Sequence, residues 1–389
     1  MRFAAAILFS SLTLCASAQS FQLHGFLTTR ETYVKSQPSW VDGGVGRFDV
    51  GATDADDHRT VNTTFAQVGA DWTPLHFLTL HADGVARNNN AAGVGRRAGV
   101  VQAYAEVFTD KLRVRAGLFF LPTSRENTDL FWTSPYTLTN SALNSWIAQE
   151  VRPIGVDVQY SPNFYITGGL TAFRGNDTMG TLIAEHGWTF GSRQTVYDEA
   201  IGLDATRSIS PDLDHRNGYA ERLRVQLPER AMLQAAHVDN RATLTTAPVH
   251  GQTPWATKFD VVGGTLGTTG PSTVSAEWMY GETSVGFPGG SYTMDFETTY
   301  VLLSRKIGPT RWTARIERFT TNSEVSRPDD PGREKGHAVT IAYLHDINAH
   351  VRAGLEWVRA NGDRPGVAEY GFSPRTSGKT IAFELRYGF

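Results

Sequence analysis

The chain has 389 residues, with 36 basic against 39 acidic side chains and a single cysteine. That near-neutral, slightly acidic balance excludes a nucleic-acid footprint, which needs a basic excess gathered on one face. One cysteine offers no intramolecular disulfide framework, so an exported fold of this size must close by other means.

Residues 1–18 combine Arg2, the apolar stretch AAAILFSSLTL and the A-x-A site Ala16-Ser17-Ala18, and are expected to be a cleaved secretory signal peptide. The cysteine, Cys15, lies inside it behind the large Leu14, so no lipid anchor is expected. Residues 19–389 show no linker or shift in composition and are read as a single domain. They contain no run of 18 apolar residues, hence no transmembrane helix.

Segments of about ten residues with period-two alternation recur along the chain, which is the signature of transmembrane strands. They fall at 21–34, 60–72, 77–87, 99–109, 111–120, 152–160, 164–174, 219–227, 231–240, 257–267, 272–282, 294–306, 311–321, 336–346, 350–360 and 379–389. That predicts sixteen strands. The connections alternate between short turns such as TPLH, TDK, SPN, PER, TTGP, IGPT and DINA, and long ones at 35–59, 88–98, 121–151, 175–218, 241–256, 283–293, 322–335 and 361–378. Short turns on one rim and long loops on the other define an all-β, antiparallel transmembrane β-barrel with short periplasmic turns.

Aromatic side chains gather beside the short turns: Trp72, Phe108, Tyr160, Phe164, Trp312, Tyr387 and Phe389. Amphipathic rings belong at a membrane–water interface, so these are the expected anchors in outer-membrane lipid. The opposite strand faces carry charge. Arg113 and Arg115 alternate with Leu112 and Val114, Arg222 and Arg224 with Leu223 and Val225, and Arg311 and Arg315 with Trp312 and Ala314. In a barrel of sixteen strands such faces line a lumen wide enough to stay an aqueous channel.

The connection at 121–151 is too long for a tight turn, and SALNSWIAQE (141–150) predicts a helix with Ala142, Leu143, Trp146 and Ile147 on one face. Folded inward, this third long loop sets Glu126, Asp129 and Glu150 opposite the wall arginines and produces a charged constriction.

In architecture the whole of 19–389 resembles a bacterial outer-membrane porin. The segment 115–160 resembles the inward third loop of trimeric porins, especially the phosphate-selective porin O/P-like group, at Gly117, Phe119, Pro122, Arg152 and Gly155. It contains no lysine, so the resemblance carries over a channel and not a phosphate preference. The ending Tyr387-Gly388-Phe389 resembles the signal read by the barrel-assembly machinery. The resemblance implies an outer-membrane homotrimer that passes small polar solutes or ions through a water-filled pore, without a cofactor.

Two rivals belong to other classes. A barrel enzyme needs a nucleophile, base and orienting acid in mutual reach. The eleven histidines are scattered, neither G-x-S-x-G nor H-E-x-x-H occurs, and His76 and His81 sit on opposite faces of a turn and a strand. A non-conducting adhesion barrel would work through the 175–218 loop. The DADDH stretch at 54–58 is acidic enough to attract a divalent ion, with a solvated loop as the favoured account; the sequence does not decide between them. Deleting Phe389 is expected to lower the yield of membrane-inserted barrel far more than the conductance of the molecules that do insert, measured by heat-modifiable gel mobility and by bilayer recording.

Overall fold

A computed structural model describes residues 20–54, 57–88, 95–202, 206–207, 211–227, 230–245, 247–249, 251–268, 270–323 and 333–389. The expected leader at 1–18 and part of the acidic 54–58 stretch lie outside these residues.

The wall is built from β1 (Ser20–Lys35), β2 (His58–Leu75), β3 (Leu78–Arg87), β4 (Ala98–Phe108), β5 (Leu112–Leu118), β6 (Ile154–Tyr160) and β7 (Ile166–Arg174). A two-stranded ribbon, β8 (Ala200–Ile201) and β9 (Thr206–Arg207), belongs to a loop. The wall resumes with β10 (Asn217–Leu227), β11 (Ala231–Asp239), β12 (Trp255–Leu266), β13 (Ser272–Phe287) and β14 (Gly290–Ile307). It ends with β15 (Thr310–Ser323), β16 (Glu334–Asp346), β17 (Val351–Asp363) and β18 (Arg375–Gly388). Every wall strand pairs antiparallel with its neighbours along the chain, and β18 returns to β1, giving a closed barrel of sixteen strands. Closure leaves no unpaired edge in hydrocarbon, where each unsatisfied backbone group costs several kcal/mol.

Alternation sorts the two faces. On β18, Ile381, Phe383, Leu385, Tyr387 and Phe389 point outward and are exposed, while Glu384 and Arg386 turn into the lumen. The seam is zipped to the last residue, because Gly25 and Phe389 exchange two backbone hydrogen bonds of 3.0 Å. Inside, Arg30 of β1 donates to Glu384 of β18 at 3.0 and 2.6 Å across the same seam.

One expected long loop is absent. Residues 283–293 form a tight hairpin in which β13 and β14 run on to Phe287 and Gly290. Their polar sequence hides the strand because it stands where the outer face needs no hydrocarbon. Gly289, at φ 99°, supplies the left-handed conformation that the Pro-Gly turn requires.

Lumen-facing aromatics lie flat over glycines on the adjacent strand. Gly281 pairs with Phe296, Gly336 with Phe319 and Gly218 with Phe173. A Cβ on Gly281 would stand 2.3 Å from the Phe296 ring, so only glycine admits it. Gly281→Val is therefore expected to destabilise the folded barrel by about 1–3 kcal/mol through overpacking. Adding Phe296→Ala should relieve that overpacking, as read by urea unfolding in vesicles of the two single variants and the double.

Candidate functional site: the filled lumen

The loop between β5 and β6 folds into the barrel, and it is fastened to the wall by charge. Arg315 of β15 is fully buried. Its guanidinium bonds Glu126 of the loop, donates to Glu317 Oε1 at 2.7 Å, and reaches the carbonyls of Thr139 and Asn140 at 3.0 Å each. Wall glutamates on alternate strands take loop donors. Glu317 accepts from the Ala142 N–H at 2.8 Å, and Glu356 of β17 accepts from the Leu138 N–H at 2.7 Å and the Thr139 hydroxyl at 2.8 Å. Gln234 of β11 donates to the carbonyls of Pro122 and Thr123.

This fastening delivers helix α1 (Ala142–Glu150), begun by Ser141, whose hydroxyl accepts from the Asn144 N–H. The sequence predicts one apolar face, yet all nine residues are buried, because material surrounds the helix on every side. Trp146 packs 5.1 Å from both Phe259 and Phe296 of the wall. The loop after β7 at 175–218, which only the rival adhesion reading sets to work at the surface, also turns inward and forms helix α2 (Thr181–His186) against α1. Glu150 accepts from the N–H groups of Leu182 and Gly180 and from the Trp146 indole. Trp188 reaches Glu334 and the Thr320 carbonyl, and Phe190 meets Phe48 of the loop after β1. In its long-loop half the barrel encloses an apolar core in place of the open water expected from strand number.

A small cavity, with about 70 Å³ of room for water-sized occupants, remains between these loops and the β1–β3 wall. Arg30, Arg87, Arg193 and Arg386 line it, together with Asp49, Gln67, Gln194 and the apolar Phe26, Phe65 and Trp132. Two carboxylates stand behind the arginines. Glu384 holds Arg30 and Arg386, and Glu199 holds Arg193 at 2.6 Å with Arg87 at 3.6 Å. Four guanidiniums and one carboxylate, Asp49, thus line the cavity itself.

The nine residues expected at a constriction separate into two groups. Arg315 and Glu126 meet, but in a sealed contact that anchors the loop, and Glu150 is buried beneath α2. Arg222 is likewise tied up, bonding Asp157 at 2.6 Å. The others line the short-turn half of the lumen. Arg113 is exposed there, Arg115 bonds Glu106 at 2.7 Å over the Tyr104 ring, and Arg311 lies over Tyr136. Arg224 reaches Thr167, and Asp129 is exposed at the tip of the loop. Trp72, Tyr160, Phe164, Trp312, Tyr387 and Phe389 are exposed on the outer surface; Phe108 is not, because it shares the lumen-side parity of Tyr104 and Glu106 and pairs with Arg113, while Val107 takes the outward position. Arg87 and Arg386 are legible in the sequence as lumen-facing residues of alternating strands, but the cavity they share with Arg30 and Arg193 is not, because Arg87 and Arg193 become neighbours only when the second loop folds in.

No protein-family model and no curated protein sequence matches the chain. Solved structures do. The outer membrane channel DcaP of Acinetobacter baumannii superposes with a TM-score of 0.63 at 12% identity, over 96% of this chain and 98% of that one. Salmonella typhi OmpF gives 0.59 at 12% identity, over 95% and 98%, and an anion-selective porin from Comamonas acidovorans gives 0.56 at 12%, over 96% and 100%. OmpT, an outer membrane protein of Vibrio cholerae, gives 0.58 at 11%, over 97% and 99%. At these identities the likeness is one of fold. The closed wall, its alternating faces and the inward loop make this chain a porin-like barrel, built on the sixteen-stranded fold of bacterial outer-membrane porins.

Proposed function

We propose that the chain is an outer-membrane diffusion channel whose narrow section is the arginine-lined cavity beside β1–β3, and that it favours small organic anions. The cavity carries this reading. Its lining sets four arginines beside one carboxylate, Asp49, in a confined space of low dielectric, and Trp132, Phe26 and Phe65 offer apolar surface beside them. The charged groups below, from Arg113 to Arg311, would gather anions toward that section. A channel is favoured over an enzyme because the charged side chains of the lumen are mostly guanidiniums and carboxylates paired with one another. Homotrimer assembly and recognition of Phe389 by the assembly machinery belong to the same reading and rest on the resemblance to porins.

Bilayer recording from purified, heat-modifiable protein is expected to give stepwise conductance with anion preference in a salt gradient. The double variant Arg30→Gln with Arg87→Gln leaves Glu384 its Arg386 and Glu199 its Arg193, and should move the reversal potential toward cation preference. Absence of steps, or an unmoved reversal potential, would overturn the proposal.

The loops that bound the cavity carry a pH dependence. Burial pushes the Glu150 carboxyl up to about 7 against the N–H bonds that oppose it. A group that binds its proton more tightly when docked stabilises docking fully below its ordinary pKa of 4.5, and that contribution fades as pH rises through about 7. Protection of the α1 and α2 amides from hydrogen exchange should therefore drop between about pH 5 and pH 8 in the native chain. In Glu150→Gln that drop should vanish, and a drop of the same size in the variant would refute the assignment.

A further inference from the structure

We propose that His24, Asp71 and His81 form a binding site for a first-row divalent cation of the zinc type, set on the lumen wall below the inserted loops.

The three residues come from adjacent strands β1, β2 and β3, all on the lumen face near the short-turn rim. Asp71 and His81 are direct cross-strand partners, while His24 stands opposite Gly69, diagonal to Asp71. One ligand atom from each, His24 Nε2, an Asp71 oxygen and His81 Nδ1, lies within 4.8 Å of the others. The His81 Nδ1–Asp71 Oδ1 distance is 2.7 Å and the His24 Nε2–Asp71 Oδ2 distance is 3.5 Å. A tetrahedral ion bound at about 2.0–2.1 Å sets its ligand atoms about 3.3 Å apart, so side-chain movements of at most about 1.5 Å would close the site.

Three further observations point to a cation. His81 is already held as a metal-bound imidazole is held: its other nitrogen, Nε2, meets Asp83 Oδ2 at 3.0 Å, and Asp83 is fixed by Gln67 at 2.8 Å and Gln102 at 2.9 Å. His24 Nε2 is buried without a hydrogen-bond partner although it faces a carboxylate. Charge supplies the third. Among the described residues neither Asp71 nor Asp83 has a lysine or arginine at ion-pair distance, so no fixed cation of the chain stands against these two carboxylates.

The surroundings keep the site in shape. Gly69 makes room for the His24 ring, since a Cβ there would stand 3.0 Å from Nε2. Phe131, from the tip of the inward loop, closes over His24 at 5.2 Å between ring centres. Phe131 and the next residue, Trp132, both adopt left-handed backbone, at φ 64° and 56°. Consecutive bulky residues hold that conformation only under constraint from packing. Three protein ligands leave a fourth position for water or for a solute group. The sequence reading set His81 aside because it was paired with His76; the ligand partner comes from β1, more than fifty residues away.

The test is zinc titration of the full-length, untagged, refolded barrel by calorimetry, with cobalt absorption as a second readout. One zinc per chain is expected, with a tetrahedral cobalt spectrum. His24→Ala and Asp71→Asn should each weaken binding at least tenfold. Asp83→Asn, which removes only the outer partner, should weaken it roughly ten- to hundredfold. Heat-modifiable mobility checks that each variant is folded, and His76→Ala serves as a control that should leave binding unchanged. No saturable binding to the native barrel would overturn the proposal. Binding that survives His24→Ala undiminished would overturn it equally.

Discussion

Everything inside this barrel hangs on a guanidinium that never meets solvent. Arg315 projects from β15 into the lumen and is met there by Glu126, Glu317 and two loop carbonyls. A charge in that position is tolerable only because its partners surround it; removing one partner of such a buried pair costs about 3–5 kcal/mol. The pairing is a weak source of net stability compared with apolar packing of the same volume, yet it is a strong source of register. It allows one placement of residues 126–142, and that placement fixes where α1 begins. From α1 follow the Trp146 contacts with Phe259 and Phe296, the Glu150 seat for α2, and the approach of Arg193 to Arg87.

The lumen consequently has two regimes. Toward the long loops it is organised like a soluble protein interior, with rings interdigitated and backbone donors matched to buried carboxylates. Toward the short turns it is a vestibule of exposed and half-exposed charge. In the channel proposed above, a solute would pass from a region where ions stay hydrated to one lined by the arginines and Asp49 beside β1–β3. Low dielectric would strengthen those contacts, so in that proposal the cavity would set what passes and the vestibule how fast solutes arrive.

The wall was legible in the sequence because lipid imposes a period of two on every strand it touches. Ile381 to Phe389 show that rule without interruption. Of the filling, the inward 121–151 loop and its helix were legible, but the second inserted loop was not; on β13 Trp278 faces outward and Met279 inward, both apolar, so alternation there carries no information about what else the lumen contains. Glu150 illustrates a second limit. Its position on a predicted helix was plain, but its role depends on Gly180 and Leu182 folding back from a loop that has no periodic signal of its own. The histidine–aspartate cluster needed the register of three strands before its members became neighbours.

The seam between β1 and β18 has a consequence for how the molecule is made. Every other pairing in the wall joins strands consecutive along the chain, whereas Arg30 and Glu384 are separated by 354 residues. Local hairpins form at small entropic cost, and the longest loop closure carries the greatest. The sheet is thus favoured to curl as an open ribbon before its edges meet, and a ribbon closing in that order shuts around whatever already lies on its concave side. Loops of this bulk, pinned by buried ions, have no route in through a finished wall except from the open rim. The last strand to arrive is then less a hinge than a lid seam: it seals a container already packed.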